Sequence, residues 1–178
     1  DAIAWLFNIR GTDVAYNPVA IAYAIVGEKT AELFIDAKKL DARTRRELER
    51  VATLRPYSRI LPACRKLGRS KERVWVESGT ANAACVAALG ASAKVRAPSP
   101  IGRMKARKNE TELRGMRAAH VRDGVAMVQF LHWLEEAVPG GDVTELSAAA
   151  RLEAFRAEGQ HFKGLSFPTI AGYAHHGA

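Results

Sequence analysis

Apolar positions follow two regimes along the chain. Residues 3–9 and 19–26 are runs rich in Val, Ile and aromatic side chains, and 31–35 is a third. Asn8, Gly11, Asp13, Asn17, Pro18 and Gly27 punctuate them. Short apolar runs between turn residues predict three strands in an antiparallel meander. Helix and strand signals then alternate. Asp41 is placed to cap a helix over 43–51, which stops before Pro56. Residues 54–57 predict a strand and 60–67 a helix closed by Gly68. Residues 73–77 predict another strand, 80–89 an Ala-rich helix ended by Gly90, and 93–97 a last strand. This alternation implies an α/β layer in which helices cover a sheet.

Pro98-Ser99-Pro100 breaks the pattern and is the best domain boundary in the chain, dividing it into 1–98 and 99–178. Beyond it the sequence becomes helical. Asn109 followed by Glu112 approaches a capping box. Leu113, Met116, His120, Gly124, Met127, Val128, Leu131, Leu134 and Val138 then recur at helical spacing until Pro139-Gly140-Gly141. Residues 144–158 predict a second helix, stopped by Gly159. Residues 165–178 mix Phe167, Thr169, Ile170 and Tyr173 with Gly and Pro, and read as the start of strands.

With 178 residues, 48% apolar and 26% charged, the balance is that of a globular chain. Cys64 and Cys85 are too few for a disulfide framework and fit no zinc spacing. They read as two small buried thiols in a reducing compartment. No apolar run approaches the roughly 18 residues of a membrane span, and no signal-peptide layout opens the chain. A cytoplasmic, membrane-free protein is the expectation. The net charge of +8 raises the nucleic-acid question. Its basic residues gather in 43–73, Lys71 among them, and in 103–122. Glu47, Glu49, Glu72, Glu110 and Glu112 interleave with them, and few aromatics do. The stretches read as solvated helical faces, with no nucleic-acid partner.

Spacing alone offers little chemistry. No glycine-rich phosphate loop occurs. His120 lies one helical turn from Asp123, a spacing at which a carboxylate can orient a general base. The alternative is a core or interface histidine. His132 sits near a helix end, where a cationic ring complements the dipole. His175 and His176 are adjacent, and on a strand they would point to opposite faces, unable to share one metal. Ser166 lacks the flanking glycines of a nucleophile elbow. Asp1 stands directly before an apolar run, and Tyr173 to Ala178 carry no polar tail. Both ends therefore read as cut from a longer polypeptide.

Several stretches taken together resemble one family. Ile3-Ala4-Trp5-Leu6-Phe7-Asn8-Ile9-Arg10-Gly11-Thr12-Asp13, Tyr16-Asn17-Pro18-Val19, Ala22 to Val26 and Leu33-Phe34-Ile35-Asp36 resemble the middle domain of cytosolic-type Xaa-Pro aminopeptidase. Ser99-Pro100-Ile101 and Lys105 to Glu110 look like that family's entry into its catalytic domain. Gly115 to His120 with Asp123, Trp133-Leu134-Glu135, Thr144-Glu145 and Ser166-Phe167-Pro168-Thr169-Ile170 continue the match in the family's order.

The resemblance implies a creatinase-N-like mixed sheet with covering helices over 1–98, its N-terminal part missing. An incomplete pita-bread α+β catalytic domain would follow over 99–178. It implies a parent enzyme that releases the N-terminal residue from peptides with proline second, using two divalent metal ions, usually manganese. The family's ligands are two Asp, one His and two Glu, in sequence beyond Ala178. No metal or cofactor ligand is therefore assigned in this chain, and the piece alone is expected to be inactive. His175 and His176 are kept as substrate-side candidates. Expected partners are proline-containing peptides, with a homodimer or a complementary polypeptide carrying the rest of the catalytic domain. The rival readings are a non-catalytic pita-bread module binding peptides or histones, and a prolidase or creatinase relative.

Overall fold

The computed structural model describes residues 1–70, 72–77, 79–90 and 94–177. Lys71 of the first basic stretch, Ala93 at the head of the last expected strand and Ala178 lie outside the described residues. The chain divides into two compact units, Asp1–Arg107 and Lys108–Ala178. The Pro98-Ser99-Pro100 break lies within the first of these units. That break instead starts a helix, with the Ser99 hydroxyl accepting the Ile101 N–H at 3.2 Å and Pro100 at the first helical position.

In the first unit the opening apolar run is a helix, α1 (Ala2–Leu6), and not the expected strand. A short apolar run cannot be assigned from periodicity alone. Here Ile3 and Phe7, four residues apart, sit on one face and pack beside buried Ala4. Strand β1 (Tyr23–Val26) pairs antiparallel with β2 (Ala31–Ile35), and β2 pairs parallel with β3 (Thr53–Pro56). The sheet is therefore mixed, in the order β1-β2-β3, and not an antiparallel meander. Helix α2 (Ala42–Glu49) makes the crossover between β2 and β3, with the Asp41 carboxylate accepting the Thr44 N–H at 2.6 Å. A parallel pair needs such a connection.

The central strand β2 is covered on both faces. Leu33 and Ile35 face one way, into a core with Ala4, Ile9, Leu48 and Ala52. Phe34 faces the other, against Ile60, Cys64 and Leu89. Alternate side chains of a strand point to opposite faces, so three consecutive apolar residues serve two cores. The second core is closed by α3 (Ile60–Arg69) and α4 (Ala83–Ala88), with β4 (Val74–Glu77) parallel to β5 (Lys94–Ala97) in a two-stranded sheet. Gly68 does not close α3; the helix runs on to Arg69. Helix α5 (Pro100–Ala106) ends this unit, and its Lys105 pairs with Asp1.

The loop carrying Arg10-Gly11-Thr12-Asp13 has a structural role. The Asp13 carboxylate accepts the Ile21 N–H at 2.6 Å and the Lys39 ammonium at 2.5 Å. Those contacts hold its carboxyl below the ordinary range, with the Lys39 hydrogen bond the largest cause.

The second unit is a helical hairpin. Helix α6 (Glu110–Ala137) starts at a complete capping box. Asn109 Oδ1 accepts the Glu112 N–H at 2.9 Å, and Glu112 Oε2 accepts the Asn109 N–H at 2.8 Å. Asn109→Ala is expected to cost about 1 kcal/mol by removing one half of the box. Thermal unfolding checks this, and Asn109→Asp should retain most of the stability. Helix α7 (Glu145–Ala157) packs back on α6 after the Val138–Gly140 turn, capped by Thr144 with Ser147. Along α6, Met116, Val121, Val125, Val128 and Leu131 are exposed, whereas Met127 is partly buried.

Residues 165–177 form no strand among the described residues. A strand exists only through pairing, and among the described residues this unit holds no other strand to pair with it. The segment is extended coil ending in a short 3-10 turn, Ala174–Gly177.

Candidate functional site

The chemistry-bearing side chains of the second unit gather where α6, α7 and the segment after α7 meet. His120 and Asp123 lie one turn apart on α6, as their spacing requires, yet they do not pair. His120 Nδ1 lies 2.9 Å from the Met116 carbonyl oxygen. A carbonyl can only accept, so that nitrogen carries the proton. The Asp123 carboxylate is taken by Arg156 of α7, whose Nε and Nη2 donate at 2.6 and 3.2 Å. A two-pronged guanidinium–carboxylate pair outcompetes a single imidazole contact. Arg156 also reaches the Met127 sulfur at 3.9 Å. The pair thus ties the hairpin together.

A cavity of about 730 Å3 opens beside this pair. Met127, Leu152, Phe162 and Phe167 give it apolar walls, and His120, His161 and Lys163 give it polar ones. Further along α6, His132 Nε2 lies 3.7 Å from Glu136 at the surface. Arg151 stands over the Phe155 ring at 4.5 Å and the Trp133 ring at 5.8 Å, a cation–π arrangement on the outer part of the hairpin.

His175 and His176 do not point to opposite sides, because the backbone there is a 3-10 turn and not a strand. Their rings meet edge to face with centroids 4.3 Å apart. His176 Nδ1 lies 3.0 Å from Glu145 Oε1, and the same oxygen accepts the Tyr173 N–H at 2.7 Å. Sequence marks Glu145 only as half of the Thr144-Glu145 stretch of the family resemblance and by its place in the first turn of α7, where a carboxylate suits the helix dipole.

The residues present do not fit a two-metal centre. Among the described residues, no three His, Cys, Asp or Glu side chains gather closely enough to hold an ion. Asp123 and Glu145 already carry Arg156 and the 173–176 turn.

The two thiols lie in the first unit. Cys64 is buried and Cys85 partly buried, both free. Burial, with Cys85 alongside, pushes the Cys64 thiol up to about 11. Such a thiol stays protonated at neutral pH and is a poor nucleophile. Nearby, a hydrogen bond to Tyr57 and then burial raise the Tyr23 phenol.

Residues 1–112 match the family model of the creatinase/prolidase N-terminal domain. The chain belongs to that family. Curated relatives agree. The chain is 42% identical over 187 residues to a "Probable Xaa-Pro aminopeptidase P" of Metarhizium acridum, covering 96% of this chain and 30% of the relative. It is 44% identical over 184 residues to the protein of that name from Laccaria bicolor, covering 100% of this chain and 28% of the relative. The chain thus spans less than a third of the length of these relatives.

Among solved structures it is similar to an X-prolyl aminopeptidase from Caenorhabditis elegans, described as a cytosolic enzyme with a di-nuclear active site. The TM-score is 0.88 at 32% identity, over 96% of this chain and 29% of that one. An Xaa-Pro dipeptidase from Bacillus anthracis matches with a TM-score of 0.63 at 13% identity, over 88% of this chain and 42% of that one. The second likeness speaks for the fold alone. The mixed sheet with covering helices is thus a creatinase-like fold. Among the described residues, no helix is long and apolar enough to cross a membrane.

Proposed function

We propose that this creatinase-family chain is part of a metal-dependent Xaa-Pro aminopeptidase of the cytoplasm. The parent would release the N-terminal residue from peptides with proline in second place. The observation that carries the reading is the joint likeness to the nematode enzyme, 32% identical with a TM-score of 0.88 over 96% of the chain. In this reading residues 1–98 belong to the middle domain and 99–178 open the pita-bread catalytic domain. The two metal ions, manganese by resemblance, would be held by residues that follow this chain. The chain alone would neither bind the metal pair nor hydrolyse peptides.

A metal-activated water suits this substrate. The Xaa-Pro amide has no N–H for an enzyme to hold, so polarising the carbonyl and supplying the nucleophile must do more of the work. The residues of this chain would contribute on the peptide side, with His175 and His176 the candidates. The basic stretches remain solvated faces in this reading. In the first stretch they pair with acids: Arg43 with Glu47, Arg45 with Glu49 and Arg55 with Glu32.

The test uses the full-length protein. After chelation and restoration of manganese, it should cleave a tripeptide Xaa-Pro-Yaa and leave the Xaa-Ala-Yaa analogue intact. No cleavage of the proline peptide with metal restored would overturn the reading. Cleavage confined to dipeptides would move it to a prolidase.

A further inference from the structure

We propose that Glu145 is a positioning residue: it pins the 172–177 turn and holds His176 as the Nδ1–H tautomer, presenting Nε2 to the peptide substrate as a hydrogen-bond acceptor. The part concerning substrate rests on the aminopeptidase reading above.

One carboxylate oxygen carries the turn. Glu145 Oε1 accepts the Tyr173 N–H at 2.7 Å and lies 3.0 Å from His176 Nδ1. The contact joins residues 31 apart in sequence, so it fixes the segment after α7 to the start of that helix. The turn itself is tightly built. The His176 N–H donates to the Tyr173 carbonyl at 3.1 Å, and Ala174 sits at φ +51, a left-handed conformation rarely adopted outside glycine and asparagine. A Cβ on Gly172 would lie 2.8 Å from the His176 carbonyl oxygen, so only glycine fits there. The His175 ring meets the His176 ring edge to face, with centroids 4.3 Å apart.

The chemistry follows from the donor rule. An ionised carboxylate only accepts, so the His176 nitrogen facing it must carry a proton. In the neutral ring that leaves Nε2 with its lone pair free. A carboxylate behind a histidine is the usual way to fix which nitrogen faces the ligand. This is the pairing that the sequence spacing offered for His120 and Asp123, realised instead between two elements. The imidazole ring sets Nε2 away from Glu145, where it can accept from a ligand whose N–H or O–H donates. A peptide supplies such groups.

The experiment uses full-length protein labelled with 15N at histidine, the His176 signals being assigned from His176→Gln. In the wild type the neutral His176 ring should show the Nδ1–H tautomer. Glu145→Ala should convert it to the Nε2–H form that is commoner in water. Glu145→Gln keeps an acceptor oxygen and should keep the tautomer. In the tripeptide assay Glu145→Ala and His176→Gln should each raise KM about tenfold with kcat within about twofold, the loss expected for one hydrogen bond. The double variant should lose no more than either single one. An Nε2–H tautomer in the wild type, or no change on Glu145→Ala, would overturn the pairing. An unchanged KM in His176→Gln would overturn the substrate role. An inactive wild type with metal restored would overturn the aminopeptidase reading, while the tautomer measurement would still decide the pairing.

Discussion

Gly68→Ala is expected to destabilise the first unit by about 2 kcal/mol, although alanine is the better helix former. In an exposed helix interior the exchange gains about 1 kcal/mol. Gly68 lies inside α3, and a Cβ there would stand 2.5 Å from the Leu89 carbonyl oxygen and 2.9 Å from its carbon. Both are backbone atoms at the end of α4 and cannot rotate away. Forcing α3 from α4 costs about 3 kcal/mol on the scale of overpacked cores, so the clash wins. Gly115 in α6 is the control, because among the described residues no atom outside its own helix turn lies within 4 Å of an added Cβ. Gly115→Ala should stabilise the second unit by up to about 1 kcal/mol. Differential scanning calorimetry of the 178-residue chain reads both. Equal signs for the two substitutions would show that the α3–α4 approach is not the constraint.

Local signals were legible where a residue acts on its own neighbours. Asp41 and Asn109 announced helices that begin where they stand, and the capping box is complete. The helix–strand alternation after Asp41 carried through to β5. What failed was decided by partners distant in sequence. Residues 3–7 are equally apolar as strand or helix, and packing of Ile3 and Phe7 on one core settles them as α1. The run over 165–177 has strand-like side chains but, among the described residues of its unit, no strand beside it. The parallel pairing of β3 was hidden because register is a property of two segments and not one.

The candidate site shows the same limit more sharply. Sequence spacing places His120 and Asp123 on one helix face, but it says nothing of Arg156, 33 residues on, which captures the carboxylate. It puts His175 and His176 side by side without revealing Glu145, 31 residues back from His176. Titratable side chains are claimed by the strongest partner within reach, and reach is set by the fold. The resemblance to Xaa-Pro aminopeptidases therefore identified the lineage before any spacing argument found a site. Asp13, one of the residues that carry it, holds the framework through Ile21 and Lys39.

Phe34→Ala should cost the first unit about 3–5 kcal/mol, the largest loss expected from any single truncation here. Among the described residues, Phe34 and Leu33 are the largest fully buried side chains, at 1% and 0% exposure. They are neighbours on β2 yet serve separate cores. Phe34 is the sheet's contribution to the cluster with Ile60, Cys64 and Leu89, and its removal leaves α3 without its central contact. The strand cannot move to refill the space, because Leu33 and Ile35 anchor its opposite face. Most of the void should therefore persist, which places the cost at the upper end of such substitutions. Leu33→Ala should cost about 2–5 kcal/mol from the other core, whereas Val51→Ala, at a site 63% exposed, should cost under about 0.5 kcal/mol. Urea unfolding of the three variants gives the ranking. A Phe34→Ala loss below about 1 kcal/mol would mean that α3 and α4 do not pack on the sheet in solution, and the two-faced core would have to be abandoned.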